Sequence, residues 1–238
     1  MSNLHRHLIN IRSFLEQALL PQVCVLCGAS SANSSICNGC HADLPWLPQA
    51  RCPRCALPTP QGTLCGQCLR SPPAFERTLC QLAYAFPLDA LIQRYKYQHR
   101  LALAGPLAQL LRGAALQSAG VDLILPAPLH PRRLRERGFN QVLELLRPWA
   151  DRGALRRDGI TRQRDDAHQA ALPWQQRAKN VKGTFACPLD LRGQKIAIVD
   201  DVMTTGATLN ELARTLKQAG AGEVECWVLA RALPHAGR

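Results

Sequence analysis

The stretch Ile196-Ala197-Ile198-Val199-Asp200-Asp201-Val202-Met203-Thr204-Thr205-Gly206-Ala207-Thr208 decides how this chain is read. Its first four residues form an uninterrupted apolar run, as expected of a strand covered on both faces in a parallel sheet. Asp200 and Asp201 follow at the carboxyl end of that strand, where open α/β sheets bind their ligands. Two adjacent carboxylates suit the hydroxyls of a vicinal diol. Thr204, Thr205, Gly206, Ala207 and Thr208 then bring hydroxyls and backbone N–H groups to the start of a helix, a setting that suits phosphate. Glycine at 206 permits the tight backbone curl. Diol plus phosphate points to a ribose 5-phosphate. No G-x-x-x-x-G-K is present, so this is not a nucleoside-triphosphatase loop. The plainer alternative is an Asp-Asp turn followed by a threonine-rich helix cap.

Working outward, Leu209, Leu212 and Leu216 share one face of a helix expected over Thr208 to Ala219, which stops at Gly220. A strand is expected at Val224 to Leu229. Upstream, the pattern alternates in the same way: a strand at Leu79 to Phe86, a helix from about Leu88, a helix from Pro106 to Gln117, a strand at Asp122 to Leu125 and a helix after Phe139. The fold class is therefore α/β, with a parallel sheet. Ser71-Pro72-Pro73 is stiff and helix-breaking and marks its upstream limit.

Before that break lies an internal repeat of a different kind. Of 11 cysteines, eight form C-x-x-C pairs: Cys24/Cys27, Cys37/Cys40, Cys52/Cys55 and Cys65/Cys68. Two copies of C-x2-C-x9-C-x2-C suit two tetrahedral all-thiolate zinc sites, because each C-x-x-C turn presents two thiolates and two turns close a shell. A redox pair would call for a βαβ setting and would not recur four times. Pairing of successive turns and cross-braced pairing both fit the spacing. Closed shells leave no open coordination position, so zinc here has a structural role. Cys80, Cys187 and Cys226 stand alone in apolar or strand-like surroundings and read as core.

At the amino end, Leu4, Leu8, Ile11, Leu15, Ala18 and Leu19 recur at helical spacing up to Pro21, giving one amphipathic helix over 1–22. It reads as packed on its neighbour rather than lying on a membrane. The domain plan is then a helix at 1–22, a double cysteine module at 23–70 and an α/β domain at 76–238. With 47% apolar and 19% charged residues, the 238-residue chain has material for a core and too little charge for disorder. No apolar run reaches the roughly 20 residues that cross a bilayer, and polar residues interrupt any signal-peptide core, so the expected location is cytoplasmic. The net charge of +12 favours polyanionic partners.

The thirteen-residue stretch resembles the phosphoribosyl-diphosphate (PRPP) signature of type I phosphoribosyltransferases: four apolar residues, two acids and a T-T-G-x-T loop. Residues 123 to 141, including Pro126, Pro128, Arg135, Arg137, Gly138, Phe139, Asn140 and Gln141, resemble the P-x-P…R-x-R-G-F-N-Q segment of the ComF/GntX family. Arg177, Asn180 and Phe185, preceded by Gln169, resemble its R-x-x-N…F stretch. With the cysteine repeat, the resemblance runs from about Cys24 to Leu233. It implies a type I phosphoribosyltransferase-like sheet with helices on both faces, preceded by a double zinc ribbon.

It further implies that PRPP binds with Mg2+, Asp200 and Asp201 taking the ribose hydroxyls and Thr204 to Thr208 the 5-phosphate. Leu129 to Asn140 would receive the pyrophosphate, with Arg137 beside the permissive Gly138 as the leading cation. The charges agree, since His130 to Lys182 holds 13 lysines and arginines against 6 acids. Residues 160 to 177 would be a closing loop. Arg94, Tyr95, Lys96, Tyr97 and Arg100 mix cations with rings, as suits single-stranded DNA, and equally suits a helix at a domain junction. Two functions follow. One is a protein of DNA uptake or DNA utilization, working with cytoplasmic DNA-translocation machinery. The other is a phosphoribosyltransferase whose acceptor base or nucleotide the sequence does not identify.

Overall fold

The computed structural model describes residues 23–31, 34–163 and 183–234. The amphipathic helix expected at 1–22 lies outside these residues, as do most of the expected closing loop and Gln169, Arg177 and Asn180. The chain forms two compact units, Met1–Leu44 and Pro45–Arg238. This division falls between the two four-cysteine sets, whereas the Ser71-Pro72-Pro73 break lies inside the larger unit.

In the smaller unit, Val23 and Ser30 form an antiparallel bridge around the Cys24–Cys27 turn. Gly28 takes a left-handed conformation there, φ +75°, and its N–H donates to Cys24 O at 2.9 Å. Helix α1 (Asn38–Ala42) is capped by Cys37, whose Sγ accepts from the Cys40 amide at 3.5 Å.

The larger unit opens with the same construction. Arg51 and Pro58 bridge around the Cys52–Cys55 turn, and α2 (Gly66–Arg70) is capped by Cys65, which accepts from the Cys68 amide at 3.5 Å. Its backbone then merges with a sheet. Strands β1 (Arg77–Leu79) and β2 (Leu82–Ala83) both lie along one edge of β7 (Glu223–Arg231), followed by β6 (Lys195–Met203) and β3 (Leu123–Pro126), all parallel. A separate antiparallel pair, β4 (Thr161–Arg162) and β5 (Phe185–Ala186), brackets the undescribed 164–182 segment. The single strand expected at Leu79 to Phe86 is thus two short ones. Between them Gln81 turns outward, its carbonyl accepting from Leu47 N at 2.8 Å and its amide donating to Gly113 O at 3.1 Å.

Helices α3 (Leu88–Tyr97), α4 (Ala104–Ala115), α5 (Pro131–Arg137), α6 (Gln141–Leu145) and α7 (Ala207–Gln218) complete the unit. Alternation along the strands sends successive side chains to opposite faces. Ile196 and Ile198 of β6, with Val224, Cys226 and Val228 of β7, join Leu209, Leu212 and Leu216 of α7 in one buried cluster. Ala197 and Val199 turn the other way, and α4 and α6 pack on each other over that side. The sheet is parallel with helices on both faces, as the sequence implies.

Two features place the site. β6 continues to Met203, four residues past the expected end at Val199, because β7 is equally long and pairs with it through Arg231. β3 stops at Pro126, opposite Val199, and the last contact on that edge is Ala127 N to Val199 O at 2.8 Å. From Asp200 onward, β6 has lost its β3 neighbour, and the notch so made is the topological position where α/β sheets receive ligands.

Candidate functional site

Asp200 and Asp201 occupy this notch, but as consecutive strand residues they face opposite ways. Asp200 is half-buried on the α7 side, and its Oδ1 accepts from the Asp201 amide at 2.9 Å. Burial, then the neighbouring Asp201 charge, pushes its carboxyl up to about 7, against the pull of Lys96 and Arg162. Asp201 is buried, 4% exposed, and its Oδ2 lies 2.7 Å from Lys96 Nζ. That contact is ionic in character, since among the described residues no donor is aligned on Oδ2 for a hydrogen bond. Both acids therefore stand at the sheet's rim, and one of them already holds a cation.

The loop that follows leaves several backbone donors open. Gly206 has φ +80°, outside the range ordinary side chains favour, and turns the chain into α7. The Ala207 amide is taken by Thr205 Oγ1 at 3.0 Å. The amides of Gly206, Thr208 and Leu209 have no acceptor among the described residues. They point from the positive end of a 12-residue helix. Thr204 is exposed and Thr205 to Thr208 half-buried.

On the far side of the notch, α5 starts on His130, whose Nδ1 accepts from Arg132 N at 3.1 Å, and ends on Gly138 at φ +73°. The sequence offered no sign of this helix, because six of its seven residues are exposed and leave no apolar period to read. Arg137, its last residue, is buried at 9% exposed; its guanidinium lies 5.1 Å over the Tyr97 ring, and its Nη1 has no hydrogen-bond partner among the described residues. A buried, unpartnered guanidinium nitrogen is costly unless an anion comes to it.

The end of α3 joins these parts. Lys96 reaches Asp201, Tyr97 lies under Arg137, and Tyr95 Oη donates to Gln141 O at 2.8 Å while its ring meets Phe139 at 5.6 Å. The group expected to form a nucleic-acid surface is thereby divided. Tyr95 is fully buried, so its ring is not open to stacking on a base, and Lys96 is committed to the acid pair. Arg94, Tyr97 and Arg100 remain exposed.

The two cysteine sets are Cys24, Cys27, Cys37, Cys40 and Cys52, Cys55, Cys65, Cys68, so successive turns pair and the cross-braced alternative falls away. Within each set all sulfur atoms lie within 4.8 Å of one another. The Cys27–Cys37 and Cys55–Cys65 sulfurs are 3.8 Å and 3.5 Å apart. A tetrahedral ion with bonds of about 2.3 Å separates its sulfurs by about 3.8 Å, so each set fits a structural zinc ion. Cys80 and Cys226 are buried and Cys187 half-buried, and burial pushes the Cys80 thiol up to about 11. A cavity of about 320 Å³ lies elsewhere, between Arg112, Leu116, Trp149 and Trp227, and includes none of the acid or loop residues.

Sequence reasoning missed two contributors. Lys96 was read as part of a nucleic-acid surface or of a helix at a domain junction, and Arg231 lay beyond the strand expected at Val224 to Leu229. Arg231 is 2% exposed and donates to Cys55 O at 2.8 Å, Met203 O at 2.9 Å, Ala232 O at 2.7 Å and Thr204 O. A charged residue two positions past the apolar run Val224 to Leu229 was its one available signal.

A parallel α/β sheet with an acid pair and threonine-glycine loop at its carboxyl rim, joined to paired four-cysteine sites, defines a phosphoribosyltransferase-fold protein with a double zinc ribbon. Models of the double zinc ribbon domain and of the phosphoribosyl transferase domain match residues 15–69 and 165–236. The DNA utilization protein YhgH of Escherichia coli strain K12 is 36% identical over 225 residues, covering 90% of this chain and 99% of its own. Competence protein F of Haemophilus influenzae is 31% identical over 214 residues, covering 84% and 92%. The chain belongs to the ComF/GntX family of competence and DNA utilization proteins. Among solved structures, an allosteric regulatory enzyme of purine biosynthesis aligns at 18% identity and TM-score 0.39 over 58% of this chain and 30% of that one. No described helix is long and apolar enough to cross a membrane.

Proposed function

We propose that the chain binds a ribose 5-phosphate unit, as PRPP with Mg2+, and acts in the uptake or utilization of external DNA through contact with single strands. The observation that carries the reading is the last turn of α3. Its neighbouring residues Lys96 and Tyr97 meet Asp201 and Arg137 in turn, so one helix end touches both an acid of the pair and a buried guanidinium whose Nη1 has no hydrogen-bond partner among the described residues. In this reading Asp200 and Asp201 take the ribose hydroxyls, Asp201 doing so beside Lys96. Thr204, Thr205, Gly206, Ala207 and Thr208 hold the 5-phosphate, and Arg137, with Gly138 beside it, meets the pyrophosphate. Mg2+ arrives with the ligand and neutralises its charge.

The DNA part of the reading draws on the names of the relatives and on the net charge of +12. Its place of action is cytoplasmic, next to DNA-translocation machinery, and its working parts are 1–22, the zinc module 23–70 and the ribose-phosphate domain 76–238. Titration calorimetry with PRPP and Mg2+ tests the core of it. The wild-type chain binds, and Asp200→Asn with Asp201→Asn loses about tenfold or more, as expected when charged hydrogen-bond acceptors are removed. No heat with the wild type, or equal affinity in the double variant, refutes the assignment. Release of pyrophosphate on adding a base or nucleotide acceptor would turn the reading toward a phosphoribosyltransferase.

A further inference from the structure

Arg231 stands between two parts of the chain that the sequence keeps far apart. It is almost wholly buried, and its hydrogen bonds among the described residues all go to backbone carbonyls: Nε to Cys55 O at 2.8 Å, and Nη1 to Met203 O at 2.9 Å, Ala232 O at 2.7 Å and Thr204 O. One planar fork thus joins the Cys52–Cys55 turn to the two residues that open the phosphate loop. Arginine suits this task because its donors are fixed relative to one another in a plane, which lysine cannot match.

Five further contacts run the same way. Thr78 N donates to Pro53 O at 3.3 Å, and Thr78 Oγ1 reaches Met203 Sδ at 3.8 Å. Arg54 Nη1 donates to the carbonyls of Pro73 at 3.0 Å and Phe75 at 3.2 Å, and between these the Ala74 amide donates to Asn210 Oδ1 of α7 at 2.7 Å. The Cys52–Cys55 turn is therefore fastened to the last strand residue, the loop and the helix that form the anion-binding end of the site. Ala56, at the end of the turn, is itself held at φ +58° with its amide on Cys52 O at 2.9 Å. A metal ion on Cys52, Cys55, Cys65 and Cys68 fixes this turn.

We propose that the second four-cysteine site is part of the scaffold of the phosphate loop, with Arg231 as the positioning residue that carries its geometry to Met203 and Thr204. The inference rests on the ribose-phosphate reading for its functional consequence; the mechanical coupling stands apart from it. Loss of zinc from this one site then loosens the loop and weakens ligand binding, making the site competent only in the zinc-loaded protein.

The full-length chain is compared as wild type, Cys65→Ser, Arg231→Met and the double variant. Zinc content is counted, amide exchange is followed over 203–209 and over α4, and ribose 5-phosphate is titrated by calorimetry. Cys65→Ser, with its zinc reduced from two to one, should show faster exchange over 203–209 than over α4 and about tenfold weaker binding. Arg231→Met should show the same with both zinc ions retained, and the double variant should add little to either single one. Arg231→Lys, which keeps the charge and loses the fork, should fall between. Where a variant does not fold, stepwise chelation of the wild type with exchange over 203–209 decides the matter.

Unchanged exchange and affinity on losing the second zinc overturn the proposal, as does a zinc-loaded Arg231→Met protein that behaves as wild type. If the zinc-loaded wild type does not bind ribose 5-phosphate, the functional reading fails, while the exchange measurement still decides the coupling.

Discussion

Asp200 and Asp201 are neighbours in the motif and yet have different surroundings, because successive residues of a strand point to opposite faces. Asp201 has Lys96 at 2.7 Å. Asp200, on the other side, is pushed up to about 7, chiefly by burial and then by the charge of Asp201. The consequence for stability has a definite sign. Between the ordinary carboxylate range and about pH 7, the folded chain keeps a proton that the unfolded chain has released, so stability falls as pH rises through that window. Asp200→Asn should remove this fall and make the protein more stable at pH 8 by about 1 to 2 kcal/mol, a modest gain because solvent reaches this half-buried group. Urea unfolding of the zinc-loaded protein from about pH 5 to 8, which covers most of that window and the plateau above it, measures it, and an unchanged slope in the variant would assign the pH dependence to other groups. Both acids and Gly206 were legible in the sequence because their signal is local. The Lys96–Asp201 pair was not, since its partners come from α3 and β6 and meet only once the sheet is built.

Elements were legible where burial imposes a period and obscure where it does not. α3, α4 and α7 were all foreseen within a few residues, each having an apolar face to bury. α5 has no such face, and the short strands β4 and β5 are only two residues each. The end of β6 was read too early because two aspartates look like a strand terminus, whereas pairing with β7 carries the strand through them. The junction of β6 and α7 makes its own demand on Gly206. A Cβ there would lie 2.6 Å from Met203 Cε, a flexible methyl that can yield, while the φ of +80° cannot be relieved in the same way. Gly206→Ala should therefore cost about 1 kcal/mol in stability. It should also weaken ribose 5-phosphate binding more than that loss accounts for, because rotating residue 206 turns the free amides of Thr208 and Leu209 off the anion. Thermal unfolding and calorimetry on the same samples separate the two effects; full affinity in a destabilised variant would show that the loop amides do not hold the phosphate.

At the scale of the whole molecule, the excess of 29 lysines and arginines over 17 acids gives a field that attracts any polyanion, so charge alone does not select single-stranded DNA. Selection requires rings and cations on one open surface, and folding has reduced the candidates. Tyr95 is fully buried and Lys96 faces Asp201, which leaves Arg94, Arg100 and Tyr97, the last 67% exposed. The two kinds of contact have different salt signatures. A footprint of about four phosphates gives a log–log slope of affinity against salt near −3 for a single strand, with about 0.7 contributed by each phosphate. Arg94→Ala with Arg100→Ala should flatten the slope by about 1.4 if each arginine meets one phosphate. Tyr97→Ala should instead lower affinity by about 1 to 3 kcal/mol at every salt concentration and leave the slope alone, because stacking releases no counterions. Fluorescence anisotropy with a labelled oligonucleotide between 50 and 300 mM salt, concentrations chosen to span the range in which counterion release dominates, reads both quantities. Binding that does not weaken with salt would remove the electrostatic basis of the DNA reading. A Tyr97→Ala protein indistinguishable from wild type would move the stacking surface away from α3 and leave Arg94 and Arg100 as a solvated face.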